Sequence, residues 1–282
     1  MKKLISIFIF VLTLTPVFAF SVADNYTHNS RFWRNSAAIS FAPARQFFVG
    51  AEFDVTEHKD FDNHIYALRM PFGFTSDSLS IRAVPFFLPD NANGSWAYGG
   101  KLMFSSTIKM NEIDGTAAEG YLSAGIVSQK ADVLKNGVLT EKDTFVQSAY
   151  EAGLVSNFFG VYLFNLSGSV YQYLSGLEGV KSIRGVFNQA ELADLGTIDY
   201  MLGLPRASGG IKATWRSEEN RAETFISYRY IDMHDDDPRH SLLMSTNVLV
   251  SAKASLRLSY NHVFIPNQTD SDIFGVGLSL GL

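Results

Sequence analysis

The stretch SDIFGVGLSLGL, residues Ser271 to Leu282, alternates large apolar residues with glycine and serine. A period of two places successive side chains on opposite faces of a β-strand. The apolar positions are Phe274, Val276, Leu278, Leu280 and Leu282, and the small positions are Gly275, Gly277, Ser279 and Gly281. The segment therefore predicts a strand with one apolar face and one nearly bare face.

The same period recurs along most of the chain. Five further segments show it clearly: QFFVGAEFDV (46–55), IYALRMPFGF (65–74), LSIRAVPFF (79–87), WAYGGKLMF (96–104) and ASLRLSYNHVF (254–264). Weaker versions fit residues 117–130, 142–155, 158–173, 197–216, 221–232 and 240–251. Turn-forming residues separate these segments and helical periodicity is almost absent, so we expect an all-β protein.

Two kinds of closed β-structure produce such alternation. A soluble sandwich or barrel points its apolar face inward, whereas a transmembrane barrel points it at lipid and encloses a polar lumen. The predicted strands are about 10–14 residues long, beyond the soluble mode of about five or six. Their polar faces carry mostly Gly, Ser, Ala and Thr, and aromatic residues lie near strand ends. The pattern favours a transmembrane antiparallel up-and-down β-barrel.

The connections between predicted strands alternate in length. Tight turns such as SAK (251–253) are followed by long loops such as residues 174–196. Short turns on one side of the membrane and long loops on the other are typical of outer-membrane barrels. That long loop contains VFNQAELADLG (Val186–Gly196), whose Ala, Glu and Leu residues favour a short helix ending at Gly196.

The N-terminus has the parts of a secretory signal peptide. Lys2 and Lys3 precede an apolar stretch from Leu4 to Leu14, and Ala19 supplies a small residue for cleavage. The apolar stretch is too short to span the roughly 30 Å of membrane hydrocarbon. We therefore expect residues 1–19 to be a signal peptide, and the mature chain to reside in the bacterial outer membrane.

Composition narrows the classes of function. The chain has 282 residues and a net charge of −5, which gives no reason to expect nucleic acid as a partner. It has no cysteine, which excludes a disulfide framework, a thiolate metal site and a cysteine nucleophile. The acidic stretch DMHDDDPRH (232–240) lacks the glycine and glutamate positions of an EF-hand. We expect no metal, no cofactor and no enzyme activity.

The last strand resembles the C-terminal β-signal of outer-membrane barrels. In that signal a glycine is followed three and five residues later by large apolar residues, which are usually aromatic. Gly277, Leu280 and Leu282 match the spacing, although Leu282 is aliphatic. The resemblance implies that the chain is inserted into outer-membrane lipid by the barrel-assembly machinery.

The segment RFWRNSAAISFAPARQFFVGAEFDV (31–55) resembles the N-terminal region of the FadL-like transporters of hydrophobic compounds. In that family an Asn-Pro-Ala-Gly/Ala-Leu stretch packs inside the barrel as part of a hatch. Asn35, Ala37, Ala38 and Ile39 match, and Ser36 replaces the proline. The resemblance implies a plug within residues 20–44 and a barrel of about twelve strands over residues 45–282. The alternative is that residues 31–41 form an ordinary strand and that the barrel has fourteen strands.

The charges that alternate with apolar residues are the candidate functional groups. In a transmembrane barrel they would face the lumen, where they would pair across it or contact water. They are Glu52, Asp54, Arg69, Arg82, Lys101, Glu151, Glu223, Arg229 and Arg257. The function expected is passage or uptake of small molecules, hydrophobic ones included. The alternative is a closed barrel with a structural, adhesive or surface-interaction role.

Overall fold

The structure is a computed structural model. It describes residues 19–30, 32–58, 64–89, 96–111, 116–135, 138–139, 143–174, 180–184, 204–217, 219–234, 237–264, 266 and 270–281. Within these ranges the regular structure is entirely β, and no helix there is long and apolar enough to cross a membrane. The helix predicted at Val186–Gly196 and residues 1–18 of the predicted signal peptide lie outside the described residues.

Seventeen β-strands are described. The first nine are β1 (Ala19–His28), β2 (Phe32–Ala44), β3 (Phe47–His58), β4 (Ile65–Arg69), β5 (Phe72–Thr75), β6 (Leu79–Leu88), β7 (Trp96–Asn111), β8 (Thr116–Lys135) and β9 (Val138–Leu139). The others are β10 (Asp143–Phe158), β11 (Tyr162–Tyr173), β12 (Val180–Arg184), β13 (Pro205–Arg216), β14 (Ala222–Met233), β15 (Arg239–Ser251), β16 (Ala254–Phe264) and β17 (Ser271–Gly281).

These strands form a closed antiparallel barrel with fourteen strands in its wall. Strands β4 and β5 count as one wall strand, because Glu52 pairs with Arg69 and Val49 pairs with Phe72 in the same register. The ladder is interrupted between them at Pro71, which has no N–H to donate. Strands β9 and β12 pair with the end of β8 beyond the main wall. The prediction of about twelve strands is therefore wrong, and the alternative of fourteen is confirmed.

The barrel closes between its first and last strands. Strand β1 pairs with β2 on one side and with β17 on the other, from Ser21 opposite Gly281 to His28 opposite Phe274. This pairing leaves no edge of the wall open, and it satisfies the backbone groups of β17 through its last described residue. Closure is the reason that the terminal strand alternates so strictly, because a slip of one residue would turn every leucine inward.

The N-terminal segment belongs to the wall. Residues predicted as a plug, Asn35, Ala37, Ala38 and Ile39, lie in β2 and pair with both β1 and β3. The plug prediction is wrong because the backbone groups of this segment are used by two neighbouring strands. The first described strand of the wall starts at Ala19, well ahead of residue 45, and the resemblance to the FadL-like family is not supported.

The outer surface is apolar. In β17 the exposed fractions are 58% for Phe274, 51% for Val276 and 48% for Leu278, whereas Gly275 and Gly277 are buried. Neighbouring strands repeat this arrangement, with Leu166 exposed by 61% on β11 and Leu258 by 53% on β16. In a closed barrel the crowded face is the inside, so the apolar side chains point outward, as expected for contact with lipid.

Aromatic rings mark both ends of this apolar surface. At the end that carries the longer connections, Trp96 stacks on Tyr98 with ring centroids 5.1 Å apart. At the short-turn end, Phe47 lies 5.2 Å from Phe74 between ring centroids. Two such belts are characteristic of barrels whose ends meet the membrane–water interfaces.

We predict that the cost of a charge on the outer surface depends on its depth. Leu166 lies midway along β11 between the exposed residues Leu154 and Ile211, whereas Val250 adjoins the turn after β15 and is 68% exposed. The substitution Leu166→Arg should lower the free energy of unfolding in lipid vesicles by about 2–4 kcal/mol, and Val250→Arg by about 0–1 kcal/mol. Equal losses in urea titrations would show that this surface does not face hydrocarbon.

Candidate functional site

The candidate site is the inner face of the barrel. Residues directly opposite each other on antiparallel strands point to the same side of the sheet. One such row runs through Arg257, Gly277, Asn25, Ser36 and Asp54, on five consecutive strands. The side chain of Asn25 lies over Gly277, where a Cβ atom would collide with it. Glycine at this position therefore allows the polar side chain to lie flat against the wall.

The structure places the nine charges named from the sequence on this inner face. Each lies in a strand opposite other inward residues and alternates with lipid-facing neighbours. They are Glu52, Asp54, Arg69, Arg82, Lys101, Glu151, Glu223, Arg229 and Arg257. Among the residues whose side chains the structure describes, the register adds five inward charges that the sequence did not single out, namely Arg34, Glu119, Lys212, Arg216 and Arg239.

Four of these charged residues, which lie on β2, β3 and β4, form a buried cluster. Arg34 contacts Asp54 at 2.5 Å, and Arg69 lies 2.8 Å from Glu52 and 3.0 Å from Asp54. Ser36 donates a hydrogen bond to Glu52 at 2.8 Å and also contacts Asp54. The four charged residues are at most 3% exposed. Because two guanidinium groups face two carboxylates, the cluster is neutral, and this offsets the cost of burying its charges.

Next to this cluster, side chains pack tightly around Gly73. The ring of Phe48 covers Gly73, where an added Cβ would lie 2.6 Å from ring atom Cε1. The guanidinium of Arg82 lies over the same ring, 5.9 Å from its centroid. Next to this region, toward the end with the longer connections, the inward side chains are apolar and buried. They are Ile65, Ala67, Phe86, Leu88, Ala97 and Val127.

A second ion pair lies further around the wall. Lys101 Nζ contacts Glu151 Oε2 at 2.7 Å, with both side chains about one-tenth exposed. Tyr121 donates a hydrogen bond to Glu151 Oε1 at 3.1 Å. Its ring occupies the space beside Gly153 where a Cβ would lie. We call the inner face of β2–β8 and β10 the packed wall; its described side chains carry four cations and four carboxylates.

The opposite side of the lumen has a different charge. We call the inner face of β13–β17 the basic wall; its charged residues are Lys212, Arg216, Glu223, Arg229, Arg239 and Arg257. Arg216 pairs with Glu223 at 2.7 Å. Lys212 lies over the ring of Phe225, with Nζ 3.9 Å from the centroid. Lys212, Arg229 and Arg257 are only half-buried, so this wall has room for water.

Two other predicted features can be placed only in part. In the matched β-signal, Gly277 faces the lumen and Leu280 is 44% exposed on the outer surface, while Leu282 lies outside the described residues. Among the described side chains, no group of three or more His, Asp or Glu residues could hold a metal ion.

Comparison with known proteins places the fold among outer-membrane barrels. No family model matches the chain, and no curated protein matches its sequence. Pseudomonas putida OprB aligns with 94% of this chain and 93% of its own, at 6% identity and a TM-score of 0.51. Acinetobacter baumannii OccAB1 aligns with 94% and 95%, at 10% identity and a TM-score of 0.51. Similarity at this level shows the fold alone, and the closed barrel with its apolar exterior indicates an outer-membrane location.

We predict that removing one cation from the four-charge cluster strongly lowers the free energy of unfolding. The substitution Arg69→Met leaves Glu52 and Asp54 buried with Arg34 as their remaining cation, so it should lower the free energy of unfolding by about 3–5 kcal/mol. Adding Glu52→Gln should recover part of the loss, because one unpaired carboxylate is removed. Urea unfolding in lipid vesicles, followed by tryptophan fluorescence, measures both variants.

The matched control is Arg257→Met. Arg257 faces the same lumen but makes no ion pair with the described residues, so its replacement should change stability by only about 0.5 kcal/mol. A loss as large as that of Arg69→Met would show that the cluster has no special role in stability.

Proposed function

We propose that this protein is a passive channel through which small water-soluble solutes cross the outer membrane. The observation that carries the proposal is the basic wall, whose polar and half-buried side chains face the enclosed lumen. A barrel of eight strands is filled by its own side chains, whereas barrels of 16–18 strands leave an aqueous channel. Fourteen strands with one packed wall fit a passage of intermediate width.

The inner face favours water-soluble rather than hydrophobic solutes. The expectation of hydrophobic solutes rests on the resemblance to the FadL-like family, whose plug segment corresponds here to a wall strand, β2. Inward polar residues that are only partly buried, such as Ser227, Asn247 and Ser259, offer hydrogen bonds to solutes that keep their water. The proposal requires no catalytic residue, because diffusion through a lumen needs only space and compatible polarity.

A closed barrel with a structural or adhesive role is the second candidate. The packed wall favours it, because the cluster of Arg34, Glu52, Asp54 and Arg69 fills part of the interior with side chains that are almost fully buried. The two candidates differ in ion conductance. A channel gives discrete current steps when folded protein is added to a planar lipid bilayer, whereas a closed barrel gives none.

We predict that a large side chain on the inner face narrows this channel. Ser227 and Ile226 are neighbours in β14, and Ser227 lies opposite Lys212 inside the barrel whereas Ile226 is 45% exposed outside. Ser227→Trp should therefore reduce the size of single-channel current steps, and Ile226→Trp should leave it unchanged. Heat-modifiable migration in gels checks that both variants fold.

Two results would contradict the channel. The first is an absence of current steps from folded, unaltered protein, which would favour the closed barrel. The second is an equal reduction by Ser227→Trp and Ile226→Trp, because current then would not run through the lumen.

A further inference from the structure

In the last five strands, β13–β17, the inner face carries mostly cations, whereas the outer face carries more carboxylates than cations. Inside, β13–β17 present five cations and one carboxylate, a net charge of +4. Outside, the same strands carry Arg206, Asp232 and Asp272. The whole chain has a net charge of −5, so the inner surplus of cations does not follow from composition. It is a property of where the register puts each residue.

The inner cations are spread along the length of the barrel. Arg216 ends β13 at the short-turn end, and Arg239 begins β15 at the opposite end. Between them lie Arg257, Lys212 and Arg229. Lys212 and Arg216 are four residues apart on one strand, which is roughly 13 Å at the usual rise of a β-strand. The basic wall thus offers successive positive positions from one end of the lumen to the other.

Neighbouring cations are close enough to act together. Arg229 pairs with Gly210, two residues from Lys212 on the adjacent strand, and such diagonal neighbours are about 7–8 Å apart. This separation is comparable to the screening length of about 8 Å at physiological ionic strength. Their potentials therefore add, and a groove lined by one sign of charge concentrates the opposite ion.

The packed wall does not cancel this potential. Its described side chains are balanced, and its carboxylates Glu52, Asp54 and Glu151 contact cations of the same wall at 2.5–3.0 Å. A neutral cluster that is buried and rigid presents little net charge to the lumen. Among the described side chains, the net positive charge of the lumen therefore comes from the basic wall.

We infer that the channel selects anions and that its solutes are small anionic molecules held in passing by Lys212, Arg229 and Arg257. This inference depends on the proposed channel function and adds the charge of the solute to it. Arginine and lysine side chains that are half-buried bind carboxylate or phosphate oxygens through charge-assisted hydrogen bonds. Their spacing lets an anion move from one cation to the next.

The test is the reversal potential of the folded protein in a planar bilayer across a gradient of potassium chloride. The unaltered channel should pass chloride in preference to potassium. The triple variant Lys212→Gln, Arg229→Gln, Arg257→Gln should lower the chloride-to-potassium permeability ratio at least about threefold, because a groove of one charge raises the local counter-ion concentration by roughly tenfold or more.

Two control variants separate charge from bulk and from position. The triple variant Lys212→Arg, Arg229→Lys, Arg257→Lys keeps every charge and should keep the chloride preference. The substitution Arg206→Gln removes a cation from the outer rim, where its side chain is 66% exposed and bound to Asp232, and should not change selectivity. Heat-modifiable migration verifies folding of each variant.

A measurement on the unaltered protein keeps the inference testable if the glutamine variant does not fold. Its chloride preference should weaken as salt concentration rises at a constant gradient, because mobile ions screen the wall. Conductance with a potassium preference, or with no preference at low salt, would overturn the inference while leaving the channel intact. Absence of conductance would instead overturn the channel itself.

Discussion

The requirement that every backbone N–H and C=O be hydrogen-bonded within hydrocarbon controls this structure. Water cannot satisfy these groups in a membrane, so an open sheet edge is excluded and the sheet must close on itself. The pairing of β1 with β17 accomplishes the closure. Side-chain polarity then follows, because the face turned to lipid has to be apolar while the enclosed face can carry serine, asparagine and charge. The alternation visible at Phe274–Leu280 is one consequence of this single constraint.

The interior combines two solutions to the problem of placing charge in a barrel. On the packed wall, Arg34, Glu52, Asp54 and Arg69 neutralise each other in contact, so the cluster acts as a rigid filling. On the basic wall Lys212, Arg229 and Arg257 are only half-buried, and their field extends into the lumen. The packed wall narrows the space through which this field acts. A solute crossing such a lumen would pass between an inert surface and a charged one.

The sequence predicted the closed β-barrel, the apolar exterior and nine inward charges because a period of two is local information. It did not predict which charges meet, since Arg34 and Asp54 contact through a register that joins separate strands. Strand β1 was overlooked because its outward face carries Asp24, which accepts a hydrogen bond from Asn35 at 2.9 Å. That pair explains how two polar residues are tolerated on the outer surface. β2 resembled a plug because Asn35, Ala37, Ala38 and Ile39 match the hatch motif, and leaving β1 and β2 out of the wall lowers the count from fourteen strands to twelve.

The seam between β1 and β17 makes assembly depend on a very distant contact. Ser21 and Gly281 are about 260 residues apart along the chain, so the entropy of ordering so much intervening chain opposes their encounter. Until they meet, the growing sheet has two unpaired edges flanked by exposed valine, leucine and phenylalanine, which is the arrangement that promotes aggregation. Hairpins between neighbouring strands can form early, but the cylinder becomes complete only at the last step. The unclosed sheet is therefore the species most prone to aggregate during assembly. Its edges have to be shielded until the seam forms, although the closed barrel itself shows no sign of this requirement.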